Sequence, residues 1–268
     1  MTIFRVAEGK MNKYKFSMLT LLLVGVNLSV QAAESGRFES SIAGAHVTGP
    51  YEGGKSFKSS LLLNLEGKNK LGFSYLALDA WGESTNYFNV RYVSYLTPEI
   101  WIDSNFSASD KNSITAKARG NAMINRGFPD KGLILAGGFD RYTMRSGGGA
   151  SAVRSMVVKY LKDYPVALQL NTSFVRSDMN NRTGGNVGVS VQYGFERRWT
   201  VAAGGNYGRV HYELVKQPGT VADYRSTSYF TSGRYWLGND WGVSARYSGV
   251  SNRHYTRNEA ELGIFVDF

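Results

Sequence analysis

Residues 186–195 read NVGVSVQYGF and alternate between apolar side chains and small or polar ones. One face holds Val187, Val189, Val191, Tyr193 and Phe195. The opposite face holds only small or polar residues: Gly188, Ser190, Gln192 and Gly194. Because successive side chains of a β-strand point to opposite faces, the pattern predicts a strand with one apolar side. Its length suits a strand that crosses a bilayer at a tilt.

The same alternation recurs along the chain, clearly at 114–124, at 166–174 and in the last twelve residues. Counting every such segment predicts fourteen strands. They lie near 37–47, 56–66, 70–78, 86–96, 99–107, 113–124, 132–143, 151–161, 166–176, 185–195, 199–213, 223–237, 241–251 and 257–268. Twelve strands is the alternative, since the first strand and 70–78 alternate least regularly.

The connections between these segments fall into two classes. Short polar turns at 66–69, 96–99, 162–165, 196–198 and 238–240 alternate with longer loops such as 177–185 and 214–223. Short turns at one end and long loops at the other are typical of outer-membrane barrels. The sequence therefore predicts an all-β fold, a single-chain antiparallel transmembrane β-barrel of a Gram-negative outer membrane. An even strand number leaves both chain ends in the periplasm.

The N-terminus has the features of a secretory leader. The apolar run MLTLLLVGV at 18–26 follows Lys13 and Lys15 and precedes a small-residue cleavage pattern that ends at Ala32. The run is too short to span a bilayer, so residues 1–32 are interpreted as a cleaved signal peptide and 33–268 as the barrel. The true start is interpreted as Met11, because residues 1–10 add nothing to the leader.

Composition excludes several classes of function. The chain has no cysteine, which removes disulfide scaffolds, thiolate metal sites and cysteine nucleophiles. Its net charge is +10, but the Lys and Arg residues are scattered and do not form the basic patch of a nucleic-acid-binding protein. No cofactor or metal site is predicted.

The C-terminal strand predicts how the barrel is assembled. Leu262, Ile264, Val266 and Phe268 alternate with polar or small residues up to the last position. A terminal Phe in this register resembles the signal that the Gram-negative barrel-assembly machinery reads. The expected partners are that machinery and outer-membrane lipid, with the chain acting as a monomer.

Five aromatic residues lie beside the short turns and predict an aromatic girdle at the periplasmic membrane interface. They are Tyr95, Tyr164, Trp199, Trp236 and Trp241.

Charged residues at polar positions of the strands predict the lining of the lumen, because a charge that faces lipid is costly. The candidates are Arg91, Asp103, Lys117, Arg119, Asp140, Lys159, Arg246 and Glu261. Two interpretations remain open: a self-paired web that stiffens the barrel, and a polar, slightly basic conduit for anionic or sugar-like solutes.

Three histidines, His46, His211 and His254, fall toward the loop end of the predicted barrel. A hydrolase at this rim needs a base within hydrogen-bond reach of a nucleophile, and Ser251 lies near His254 in sequence. No recognisable motif surrounds them, so catalysis is the lowest-ranked hypothesis and no catalytic residue is predicted.

The mature chain resembles the YaiO-type outer-membrane barrel family. The similarity rests on the tyrosine-rich segment 137–142, the turns at 95–98 and 235–241, and the final strand 262–268. It implies an outer-membrane location, no established enzymatic activity and a link to exopolysaccharide export. The predicted function is thus a non-enzymatic conduit or accessory barrel for polar solutes or exopolysaccharide. The alternative is a plugged structural or receptor barrel that binds partners through its extracellular loops.

Overall fold

A computed structural model describes residues 35–48, 53–80, 83–110, 116–143, 148–178, 181, 183–214 and 217–268; the side chains of 210–224 are outside the described set. The predicted signal peptide, residues 1–32, also lies outside it. Within the described residues, no helix is long and apolar enough to cross a membrane.

The described chain forms fourteen antiparallel strands that close into one barrel. The strands are β1 (Ser35–Val47), β2 (Gly54–Asn64), β3 (Lys70–Ala80), β4 (Glu83–Tyr95), β5 (Ile100–Ser109), β6 (Ala118–Phe128), β7 (Leu133–Thr143), β8 (Gly149–Leu161), β9 (Val166–Ser177), β10 (Thr183–Phe195), β11 (Trp199–Leu214), β12 (Gln217–Trp236), β13 (Trp241–Asn252) and β14 (Thr256–Asp267). Each strand pairs with its sequence neighbours, and β1 pairs with β14. The predicted fold class and the count of fourteen are confirmed, which removes the twelve-strand alternative.

The seam between the first and last strands is fully paired. Arg37 lies opposite Asp267, and the register runs unbroken to Val47 opposite Arg257. The backbone of Gly36 donates to the carbonyl of Phe268 (2.7 Å) and accepts from its amide (3.0 Å). Closure matters because an open edge would leave peptide groups unpaired in hydrocarbon.

The outer surface of the barrel is a band of exposed apolar side chains. Ile42, Val189 and Leu262 are each more than 60% exposed; Ile42 and Leu262 lie opposite each other across the β1–β14 seam, and Val189 lies on β10. All three share the outward face defined by the strand register. Such an extensive apolar surface is stable only in contact with lipid.

Two expectations about the connections are corrected. The predicted strand at 113–124 is displaced: β6 begins at Ala118 and continues to Phe128, because pairing with β5 and β7 extends through 126 and 128. The predicted long loop at 214–223 is largely strand, because β11 and β12 continue their pairing to Leu214 opposite Gln217. The alternation of apolar and polar residues does not show how far a strand pairs with its neighbours, so it does not fix where the strand begins and ends.

Candidate functional site: the barrel lumen

The inner face of the barrel follows from the cross-strand register. Residues directly opposite each other share a face, and one such row runs from Glu39 through Ser60, Ser74, Asn89 and Ser107. The members of this row are polar, as are most neighbouring inward positions. The structure thus combines an apolar exterior with a hydrophilic lumen.

A buried carboxylate lies between two arginines on one side of this lumen. Asp140 of β7 is 3% exposed and accepts hydrogen bonds from Arg119 Nε (3.0 Å) and Nη2 (2.6 Å). Its Oδ2 atom also lies 2.5 Å from Nη2 of Arg154 on β8. Because both guanidinium groups bind one carboxylate, this triad leaves a surplus of one positive charge in the lumen.

A second pair lies on the adjoining strands. Arg91 of β4 donates from Nε (2.9 Å) and Nη2 (2.5 Å) to the two carboxylate oxygens of Asp103 on β5. The fork geometry holds the two side chains together across the neighbouring strands. These charges therefore interact mainly with each other.

The β1–β14 seam carries further inward charges. Glu39 accepts from Arg234 (2.7 Å) and from the Ser244 hydroxyl (3.1 Å). Glu261 accepts from the Ser41 hydroxyl (2.5 Å) and lies directly opposite Arg246 in the register. The guanidinium of Arg246 also lies 4.8 Å from the ring centroid of Phe230.

An aromatic cluster lies inside the barrel at the turn end of this seam. Phe265 is 1% exposed and packs edge-on against Trp236, with 4.9 Å between ring centroids. Arg37 covers both rings at 5.5 and 5.1 Å and donates to Asp267, which also accepts from the indole of Trp236 (3.0 Å). The cluster ties β1, β12 and β14 together through cation–π contacts and charge-assisted hydrogen bonds.

Six of the predicted lumen residues lie on inward positions: Arg91, Asp103, Arg119, Asp140, Arg246 and Glu261. Lys117 lies one residue before β6, at the loop end, where its amide donates to the carbonyl of Thr143 (2.8 Å).

The prediction that Lys159 lines the lumen is wrong. It shares the outward face of β8 with Val157 and Leu161, and its ammonium group donates to the backbone carbonyl of Lys131 (2.5 Å) at the turn end. The apolar doublet Val157-Val158 obscures the phase of this strand, because Val158 points inward and is 9% exposed.

Sequence reasoning missed several inward charges. They include Arg37, Glu39, Lys58, Arg154, Arg234 and Glu259. Each of them lies an even number of residues from an inward-facing residue on the same strand. Applying a two-residue period to the whole length of every strand would therefore have identified them.

The predicted girdle is only partly on the outer surface. Trp199 and Trp241 share the outward face, and Tyr164 is 66% exposed in its turn. The prediction is wrong for Tyr95 and Trp236, since both point inward. Tyr95 stacks on Trp101 (5.6 Å between centroids), and Trp236 is 7% exposed in the seam cluster. Turn proximity does not specify the face on which a residue lies.

The two histidines whose side chains are described, His46 and His254, lie toward the loop end of the barrel. His46 lies on the outward face of β1, opposite Asn258. His254 accepts a hydrogen bond from Nε of Arg253 (2.9 Å). The side chain of His211 is outside the described set, and the described residues contain no group of three His, Asp or Glu side chains that would hold a metal ion.

Comparison with known proteins gives structural relatives only. No protein-family model matches the sequence, and no curated protein matches it. Among solved structures, a bacterial polysaccharide outer membrane secretin matches with a TM-score of 0.58 at 10% identity, over 87% of this chain and 98% of that one. The Acinetobacter baumannii outer membrane protein Omp33 matches with a TM-score of 0.53 at 11% identity, over 87% and 99% of the two chains. The likeness extends over nearly the whole described chain and shows the fold, that of an outer-membrane β-barrel.

Proposed function

We propose that this protein is an outer-membrane conduit for polar solutes, with no enzymatic activity. The observation that carries the proposal is the contrast between an exposed apolar exterior and a lumen lined by hydroxyl, amide and paired charged groups. Charged side chains inside a barrel mark the path of water or solute, because they are costly in lipid.

The interior contains open space along this polar lining. A cavity of about 460 Å³ lies between strands on different sides of the barrel and is bounded by Lys58, Asn89, Arg119 and Glu259 among others. A second, of about 440 Å³, lies against β8–β12 and is bounded by Arg154 and a set of amides and hydroxyls. A fourteen-strand barrel is wide enough for water to enter between its side chains.

The outer-membrane location follows from the same proposal. The fold is shared with outer-membrane barrels, the exterior is apolar, and the N-terminal sequence has the features of a leader. Outward-facing Leu262, Ile264 and Val266, with the terminal Phe268, are the proposed signal for the barrel-assembly machinery.

Exopolysaccharide is the proposed cargo class, and the YaiO-type barrels are the proposed family. Resemblance in the turns and final strand supports both, and the fold shared with a protein described as a polysaccharide outer membrane secretin supports the cargo class. A polymer of hydroxyl groups is compatible with a lumen of hydrogen-bonding side chains.

Conductance in planar lipid bilayers tests the conduit. We expect steady single-channel currents, reduced in Gln192→Trp, which places a bulky ring in the lumen. The matched control is Val191→Trp on the lipid face of the same strand, with an expected current equal to that of the unmodified protein. A folded barrel without current would refute the conduit and favour the plugged receptor.

A further inference from the structure

One wall of the lumen differs in chemistry from the rest. The inward positions of β9, β10 and β11 include five amides, Gln169, Asn171, Asn186, Gln192 and Asn206, which we call the amide rail. Among the described side chains, these three strands place no charged group inward.

The amide rail extends along much of the barrel axis. Gln192 lies three residues from the turn end of β10, and Asn186 lies three residues from its loop end. Inward neighbours on one strand are about 6.8 Å apart, so the rail offers successive hydrogen-bonding groups along the direction of transit. Hydroxyls of Ser173 and Ser190 fill the intervening positions.

The rail has free hydrogen-bonding capacity. Within the described residues, the side chains of Gln169, Asn171, Asn186 and Gln192 make no hydrogen bond to another protein group, and none is sealed from solvent. Asn206 makes only a long contact to the Ser228 hydroxyl (3.5 Å). Each amide group therefore presents donors and an acceptor to the lumen.

The side chains of two of these amides converge above a glycine of β10. Asn171 and Asn206 lie on either side of Gly188 in one cross-strand row. A Cβ atom at Gly188 would collide with the Oδ1 atoms of both residues. Glycine is thus required for the two amides to converge over the middle strand.

The charged walls have the opposite character. Carboxylates of Glu39, Asp103, Asp140 and Asp267 are each bound by arginine. These contacts satisfy the carboxylates, whereas the rail itself is uncharged and its amides make only the one long contact of Asn206. Arg154 of β8, which bounds the same cavity as four of the rail amides, is bound to Asp140. A solute that hydrogen-bonds without carrying charge gains most from such an arrangement.

We infer that the amide rail binds an uncharged polyhydroxyl chain, a neutral oligosaccharide, during its passage through the lumen. Each sugar hydroxyl is both a donor and an acceptor and matches an amide in either orientation. Several weak contacts in series suit transport, because binding must be strong enough to admit the solute and weak enough to release it.

At the turn end, the ring of Tyr160 is half-exposed and lies in the same cross-strand row as Gln192. The apolar face of a sugar can stack on this ring. This inference rests on the proposed conduit.

The test is reversible block of single-channel current by a neutral maltooligosaccharide series. Relative to the unmodified protein, the double variant Asn171→Leu with Asn206→Leu keeps the number and branching of the side-chain heavy atoms and removes both amides. We expect its blocking constant to weaken about tenfold, the loss of two ordinary hydrogen bonds. The matched control is Thr172→Val, one residue from Asn171 on the lipid face, with an expected change below twofold.

The outcomes separate the two proposals. Absence of any current refutes the conduit, and the inference with it. Current that an acidic oligosaccharide blocks but the neutral series does not would overturn the inference and leave the conduit intact. Equal block of the double variant and the unmodified protein would likewise remove the amide rail as the binding surface.

Discussion

Asp140 offers the sharpest quantitative test of how the lumen is stabilised. It is 3% exposed and bound by two arginines, Arg119 and Arg154, whose side chains are 38% and 36% exposed. The substitution Asp140→Asn keeps the shape and removes the charge, so two guanidinium groups lose their shared counterion. Breaking a buried ion pair on one side costs about 3–5 kcal/mol, and the partial exposure of the arginines lowers this to about 2 kcal/mol.

Asp103→Asn is the matched control. It removes the same charge from a pair whose side chains are 48% and 28% exposed, for Arg91 and Asp103. Pairs of this exposure contribute about 0.5 kcal/mol. Both variants lose one carboxylate charge. The difference between their unfolding free energies therefore measures the effect of burial and of the second arginine.

The assay is reversible urea unfolding of the barrel in lipid vesicles, followed by tryptophan fluorescence. With a denaturant slope of about 2 kcal/mol per molar, Asp140→Asn lowers the midpoint by about 1 M and Asp103→Asn by about 0.25 M. Equal shifts in the two variants would refute the reasoning, because they would mean that the buried triad is no stronger than the exposed pair.

Three further predictions address the seam, the lipid face and the fold. Phe265→Ala removes the buried ring that packs on Trp236 and Arg37, and it lowers the free energy of unfolding in vesicles by about 3 kcal/mol; a loss below 1 kcal/mol would contradict the packing described. Val189→Arg places a charge in the lipid band and costs about 2–4 kcal/mol, whereas Ser190→Arg, one residue along, places it in the lumen and costs much less; the reverse order in the same unfolding assay would invert the assigned faces. The unheated protein is expected to migrate differently from the heated protein on a detergent gel, and solubility without detergent would exclude a membrane barrel.

The strands were predicted from the alternation of apolar and polar residues within each segment. Residues 186–195 lie within β10, and the predicted bounds of most other strands agree with the structure within three residues. This works because a period of two and a preference for lipid on one face act on each strand separately. It failed where two apolar residues were adjacent, as at Val157-Val158, and the phase error then displaced Lys159 to the wrong face.

The lining of the lumen was only partly accessible to the same reasoning. Arg119 and Asp140 were placed inside, but nothing in the sequence paired them with Arg154. The amides of the rail were visible as the polar half of the alternation, yet their significance depends on the absence of inward charge on three adjacent strands. That property belongs to the assembled wall and to no single segment.

The sequence by itself determined that the chain is an all-β barrel with about fourteen strands and, on most of them, which face is apolar. These are properties of alternation and hydropathy that each segment carries alone. The tertiary structure decided which charges meet, which aromatics turn inward and where free hydrogen-bonding groups collect. Arg37 and Asp267, 230 residues apart, touch only because β1 pairs with β14, and that closure with its register is a property of the whole sheet.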